Sequence, residues 1–144
     1  MKHIEEDIVK NILIVCTANK TRSPMAMEIA NSIAARKNAP YHFKSAGFAA
    51  IGSRIDENVE AVLSEIGIES NYTPTHISVY DIDSFDAIHV MSQRQRITLC
   101  SYFKDKKIEN KITVLGVGNP YYDGIEAYRK CREAFVEFYE MYIK

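Results

Sequence analysis

A cysteine and an arginine six positions apart stand between an apolar run and a helix start in V-C-T-A-N-K-T-R-S-P, residues 15–24. A loop joining a buried strand to a helix N-terminus directs several unpaired backbone N–H groups at one point, and the helix dipole adds partial positive charge there. That point suits an anion. Cys16 facing it would have its thiolate stabilised by those donors, by Arg22 and by the hydroxyl of Ser23, making it a nucleophile near neutral pH. The planar fork of Arg22 matches two phosphate oxygens and can hold them as phosphorus becomes pentacoordinate. With Thr17, Ala18, Asn19, Lys20 and Thr21 forming the ring around the anion, these parts make a phosphoryl-transfer site that needs no metal and no cofactor. The plainer alternative is a turn that contains a small buried cysteine, which is what a free cysteine usually is. The strand before the loop and the Ser23-Pro24 pair after it favour the site.

The elements that must position this loop follow from the apolar pattern. Residues 11–15, N-I-L-I-V, form a β-branched run of the kind found in strands buried on both faces. From Ser23 the period becomes helical through Ala26, Ile29, Ala30 and Ile33, with Ser23 as N-cap, Pro24 at the first helical position and Pro40 beyond the end. Residues 42–46 read as a second strand closed by Gly47. Asp56 caps a helix with the stripe Val59, Val62, Leu63 and Ile66, stopped by Gly67. Residues 85–91 are a third strand, before a helical segment in which Ile97, Cys100 and Phe103 share a face. Residues 111–115 are a fourth strand, and residues 124–143 a long helix with Tyr128, Cys131, Phe135, Phe138 and Tyr142 on one side. Residues 68–83 read as irregular. Four strands alternating with four helices imply an α/β fold with a parallel sheet covered on both faces, whose ligands bind at the carboxyl ends of the strands, where Cys16 lies.

Composition narrows the classes. The chain has 144 residues, 47% hydrophobic and 26% charged, as expected of one globular domain over residues 11–144 behind a polar lead of residues 1–10. A net charge of -1 gives no footprint for nucleic acid. No apolar run approaches the roughly 18 residues needed to cross a bilayer, and the acidic start does not suit a secretory signal. These features read as a cytoplasmic protein with no membrane partner. Cys16, Cys100 and Cys131 form no C-x-x-C pair, so neither a disulfide framework nor a zinc site is indicated, and Cys100 and Cys131 read as core. His3, His42, His76 and His89 are scattered singly and read as surface or packing residues.

The loop residues Val15, Cys16, Asn19, Arg22, Ser23 and Pro24 resemble the V-C-x-G-N-x-C-R-S-P loop of the low-molecular-weight protein tyrosine phosphatases. The resemblance continues through Ser45-Ala46-Gly47, Ala61-Val62-Leu63 with Gly67-Ile68, Phe85-Asp86 with Val90-Met91-Ser92, and Pro120-Tyr121-Tyr122. It implies a flavodoxin-like three-layer sandwich with a four-stranded parallel sheet in order 2-1-3-4, and a two-step mechanism. Cys16 would attack phosphorus, Arg22 and the loop amides would hold the oxygens, and water would release phosphate. The implied partners are a phosphorylated protein or a small aryl phosphate, with inorganic phosphate, sulfate or vanadate as loop ligands. Tyr121 and Tyr122 would wall the mouth of the pocket and stack on an aromatic substrate.

The chain also departs from the pattern. Ala18 stands where the family has glycine, in a turn where alanine tolerates positive φ poorly, and Thr21 stands where a second cysteine is usual. Lys20 differs from the apolar residue of tyrosine-specific relatives and from the threonine of phosphoarginine-directed ones. Asn119 occupies the place of the family's aspartate before proline, which protonates the leaving oxygen; an asparagine has no proton to transfer. General acid catalysis is worth about 10²–10⁴-fold. Asn119-Pro120 also reads as a simple turn, and Asp123 is the nearest carboxyl that could substitute. The expectation is a phosphatase acting on phosphotyrosine or another aryl phosphate, with leaving-group protonation as the step that Asn119 would impair. The alternatives are a phosphate-binding pseudophosphatase and, further off, an arsenate reductase, for which Cys100 would have to serve as relay thiol and Ser92 stands at a thiol position.

Overall fold

The computed structural model describes residues 8–50 and 52–144. Residues 1–7 of the polar lead, His3 among them, lie outside the described residues, as does Ile51. Four strands, β1 (Lys10–Cys16), β2 (Tyr41–Gly47), β3 (Ala87–Val90) and β4 (Ile112–Val114), form one parallel sheet in the order 2-1-3-4. The helices are α1 (Arg22–Lys37), α2 (Glu57–Ser64), α3 (Gln93–Tyr102) and α4 (Ile125–Tyr142). This is the expected flavodoxin-like α/β architecture. The chain leaves β1 for β2 on one side and returns to β3 on the other. The winding therefore reverses between β1 and β3, which opens a crevice beyond their carboxyl ends.

Ile12, Leu13, Ile14 and Val15 are all fully buried, which explains the unbroken apolar run. Alternation along β1 sends Ile12, Ile14 and Cys16 into the core shared with α1, α2 and α4, and Leu13 and Val15 into the core against α3. Each such side chain stabilises the fold by about 1.5–3 kcal/mol. α1 ends at Asn38, whose left-handed φ of 54° forms the C-cap with Pro40 just beyond. Asp56 caps α2 as expected, its Oδ1 accepting from the Asn58 N–H at 3.0 Å.

Four local expectations need correction. Ser23 is not an N-cap: α1 starts at Arg22, Thr21 precedes it without a side-chain cap, and Ser23 lies inside the first turn. Ile66 is 42% exposed, because α2 ends at Ser64 and the stripe stops at Leu63. On α3 the buried residues are Gln95 and Leu99, while Ile97 is exposed and Cys100 only half-buried. The helix is so polar that one leucine and one glutamine, not the Ile97 face, meet the sheet. On α4, Tyr128, Cys131, Phe135 and Tyr139 are buried, and Phe138 and Tyr142 pack half-buried at the margin of that core. The irregular stretch before β3 carries two 3-10 turns, Ile77–Val79 and Ile82–Ser84, and His76 bridges to Gly47 at the end of β2.

Of the histidines, His42 is exposed, His76 accepts from the Ser78 N–H, and His89 packs fully buried between β3 and α4. His89 Nδ1 lies 2.8 Å from the Tyr139 hydroxyl, its Nε2 has no partner among the described residues, and burial lowers its pKa to about 4. No helix among the described residues is long and apolar enough to cross a membrane.

Candidate active site

Cys16 ends β1, 3% exposed, with the loop of residues 17–21 between it and α1. Its Sγ lies 2.9 Å from Ser23 Oγ, because the first turn of α1 carries Ser23 back over the strand end. The Thr17 carbonyl accepts from the Ala49 N–H at 2.9 Å and the Lys20 carbonyl from the Asp56 N–H at 3.0 Å. The N–H groups of residues 17–23 find no acceptor among the described residues, so this turn keeps the free donors that an anion needs.

Asn19 holds the loop in shape. It is fully buried at φ 57°, a left-handed conformation that asparagine tolerates better than most residues. The positive φ expected at Ala18 is absent: the turn places it one residue later, so alanine at position 18 carries no such strain. Asn19 Oδ1 accepts from the Thr75 N–H at 2.7 Å and from the Tyr72 hydroxyl, and the backbone donor settles which end of the amide is oxygen. Asn19 Nδ2 therefore donates to Ser23 Oγ at 2.6 Å and to Ser45 Oγ at 2.9 Å. With its oxygen already accepting from Asn19, the Ser23 hydroxyl has its proton free for the Cys16 sulfur, the orientation that stabilises a thiolate. The Asn19 side chain is thus fully used within the protein; what it leaves for an anion is its backbone N–H.

The surroundings fit the loop closely. A Cβ on Gly47 would sit 2.7 Å from the Thr17 carbonyl oxygen and 2.8 Å from the Asn19 Cβ, so only glycine lets β2 end against the loop. Gln95 of α3 accepts from the Met91 N–H at 2.8 Å, and its Nε2 lies 3.4 Å from Thr17 Oγ1. Ser92 is the N-cap of α3, its hydroxyl accepting from the Gln95 N–H. Lys20 is half-buried and reaches past Gly52, its Nζ 3.4 Å from where a Cβ there would lie. Tyr72 and Thr75 carried no signal in the sequence, because an irregular segment has no periodicity to read, and Gln95 carried none because a polar residue on a helix reads as solvent-facing. Ser45 did carry one: a buried polar residue on a strand must find a partner.

Arg22 is half-buried, and its Nη1 donates to the Val117 carbonyl at 2.9 Å, leaving the rest of the guanidinium for a ligand. Val117 begins the segment that carries Asn119. Asn119 is exposed, and its Oδ1 accepts from the Tyr121 N–H at 3.2 Å, the Asx turn that the Asn-Pro pair suggests. Asp123 closes a second turn through its N–H to the Pro120 carbonyl at 2.9 Å. Asn119 and Asp123 line one cavity of about 360 Å³ with Lys130 and Cys131, and no residue of the loop 16–23 lines it. Tyr121 and Tyr122 are 52% and 91% exposed and meet edge to face with centroids 4.6 Å apart. Tyr122 stands free for an aromatic contact. Cys131 is buried beside the site, and burial pushes its thiol up to about 12, against a smaller downward effect of Arg22.

The sequence model described as Low molecular weight phosphotyrosine protein phosphatase matches residues 11–140. The protein-arginine-phosphatase of Geobacillus stearothermophilus is 34% identical over 131 residues, covering 85% of this chain and 86% of its own. The low molecular weight phosphotyrosine protein phosphatase of Schizosaccharomyces pombe is 27% identical, covering 95% of this chain and 98% of its own. Among solved structures, the low molecular weight protein tyrosine phosphatase of T. tengcongensis superposes with a TM-score of 0.84 at 27% identity, over 91% of this chain and 95% of that one. The chain belongs to the low molecular weight phosphotyrosine protein phosphatase family.

Proposed function

We propose that residues 11–144 act as one phosphatase domain that hydrolyses phosphotyrosine or another aryl phosphate through a cysteinyl-phosphate on Cys16, with slowed protonation of the leaving group. The observation that carries this reading is the chain of hydrogen bonds Asn19–Ser23–Cys16, which presents a sulfur nucleophile at a ring of free N–H donors. In the first step the Cys16 thiolate forms the S–P bond as the ester P–O bond breaks, while Arg22 and the loop amides of residues 17–22 hold the phosphoryl oxygens. With asparagine at position 119, the departing phenolate takes its proton from water. In the second step water attacks phosphorus, the S–P bond breaks, and inorganic phosphate leaves as the thiolate is restored. Sulfate and vanadate, which share the shape of phosphate, would bind the same loop. The attacking thiol must be reduced, which suits a cytoplasmic enzyme.

A second reading takes phosphoarginine as substrate, favoured by the 34% identity to a protein-arginine-phosphatase. The Lys20 ammonium beside Gly52 argues against it, since a guanidinium would meet a like charge at the rim. The test is the dependence of kcat/KM on leaving-group pKa, in the wild-type protein and in Asn119→Asp. The expected result is strong preference for acidic phenols, relieved by about 10²-fold for phosphotyrosine in the variant. No phosphate release from any aryl phosphate between pH 5 and 8 rejects the reading. Phosphate binding without turnover in either protein would instead assign a phosphate-binding pseudophosphatase.

A further inference from the structure

Two loops must act on one substrate in the proposed reaction, and the residues that hold them in register are few. Among the described residues, Val117 is tied to the Met91 carbonyl through its N–H and to Arg22 through its own carbonyl. Beyond it, residues 118–123 make the internal bonds Tyr121 N–H to Asn119 and Asp123 N–H to Pro120. Among the described residues, the Tyr128 hydroxyl oxygen lies 3.5 Å from the Tyr121 carbonyl oxygen, a polar contact beyond hydrogen-bond length that sets the first turn of the following helix against this segment.

Tyr128 is 1% exposed on the first turn of α4, which starts directly behind this segment at Ile125 with Gly124 as its N-cap. Its hydroxyl donates to Asp56 Oδ2. Asp56 in turn grips the phosphate loop twice, its N–H donating to the Lys20 carbonyl at 3.0 Å and its Oδ2 lying 3.4 Å from Thr21 Oγ1. One hydroxyl thus stands between the corner of the phosphate loop and the segment bearing Tyr121 and Tyr122. The Arg22 tie is different in kind, because its guanidinium is the group that a phosphoryl ligand would recruit.

We infer that Tyr128 is a positioning residue that, through Asp56, keeps residues 118–123 registered on the phosphate loop while Arg22 holds the phosphoryl group. The inference rests on the phosphatase reading for the role of Arg22. Burial and the neighbouring Asp56 raise the Tyr128 phenol above its usual range, so the hydroxyl keeps its proton across working pH.

Tyr128→Phe removes the hydroxyl and keeps the ring. In the variant, KM for phosphotyrosine is expected to rise about tenfold with kcat within about twofold. The Kd for inorganic phosphate should stay within about twofold, and amide exchange with phosphate bound should quicken at residues 119–123 but not at residues 17–22. A merely structural role would instead weaken phosphate binding in step with KM. That outcome, or unchanged KM and exchange, overturns the inference. If the wild-type protein hydrolyses no aryl phosphate, the phosphatase reading fails there, and phosphate Kd and exchange still decide the role of Tyr128 by the same two outcomes.

Discussion

The loop of residues 17–21 and the segment of residues 116–124, joined by the Arg22 bond to the Val117 carbonyl, are built on opposite terms. In the first, a buried asparagine with four hydrogen bonds is wedged against a glycine that no other residue can replace, below a helix and a central strand. In the second, exposed residues follow the shortest strand of the sheet, three residues at its edge, and are shaped by two of their own turns. Groups that would bind a compact anion in the proposed reaction gain from rigid preorganisation, which a buried and fully satisfied scaffold supplies. In the proposed reaction, the groups that would meet a variable leaving group sit where substitution costs little. An exchange between asparagine and aspartate is therefore tolerated structurally at position 119, where the side-chain oxygen completes a turn, and would not be at position 19, where the amide nitrogen donates to Ser23 and Ser45.

The largest test of this contrast is Cys16→Ser, which should lower hydrolysis more than about 10³-fold while keeping phosphate binding within about threefold, measured by stopped assay and calorimetry. A parallel loss of binding would show that the sulfur also organises the loop. Next come the two asparagines. Asn19→Ala strands Ser45 and the Thr75 N–H in the interior and should cost about 3 kcal/mol in urea unfolding, whereas Asn119→Ala should cost about 0.5 kcal/mol or less. Equal costs would erase the distinction between the loops.

A comparable effect should come from the core between β3 and α4. His89 has its pKa lowered to about 4 from 6.5 by burial, so the unfolded chain takes up a proton that the native protein refuses. The penalty is nearly absent above about pH 6.5, grows as pH falls, and levels off below about 4; it amounts to between about 2 and 3 kcal/mol by pH 4.5. His89→Asn should lose that much less stability on going from pH 7 to 4.5, and both loops should unfold with the sheet in a single transition. Smallest is Tyr122→Ala, expected to raise KM for phosphotyrosine about threefold and leave an alkyl phosphate unaffected, as the loss of one stacking face requires.

Much of the frame could be read from residue types. The run at residues 12–15 could belong only to a strand covered on both faces, and Asp56 and Gly67 bracketed a helix because a carboxylate satisfies first-turn N–H groups and glycine accepts positive φ. Reading failed where polarity masked burial. Gln95 faces inward because it bonds the Met91 N–H, and Ile97 faces out, so counting apolar residues on α3 chose the wrong side. It failed again within the phosphate loop, where spacing could not say that the left-handed residue is Asn19 and not its neighbour.

From its residues alone, the chain determined a parallel α/β sheet and put Cys16, Arg22 and Ser23 at the end of its first strand, because periodicity and turn chemistry are local. Only the tertiary structure decided how that end is held. Tyr72 and Thr75 reach Asn19 across more than fifty positions, and Tyr128 reaches Asp56 across 72. Bonds of that span depend on where the sheet carries each segment, which no local pattern encodes.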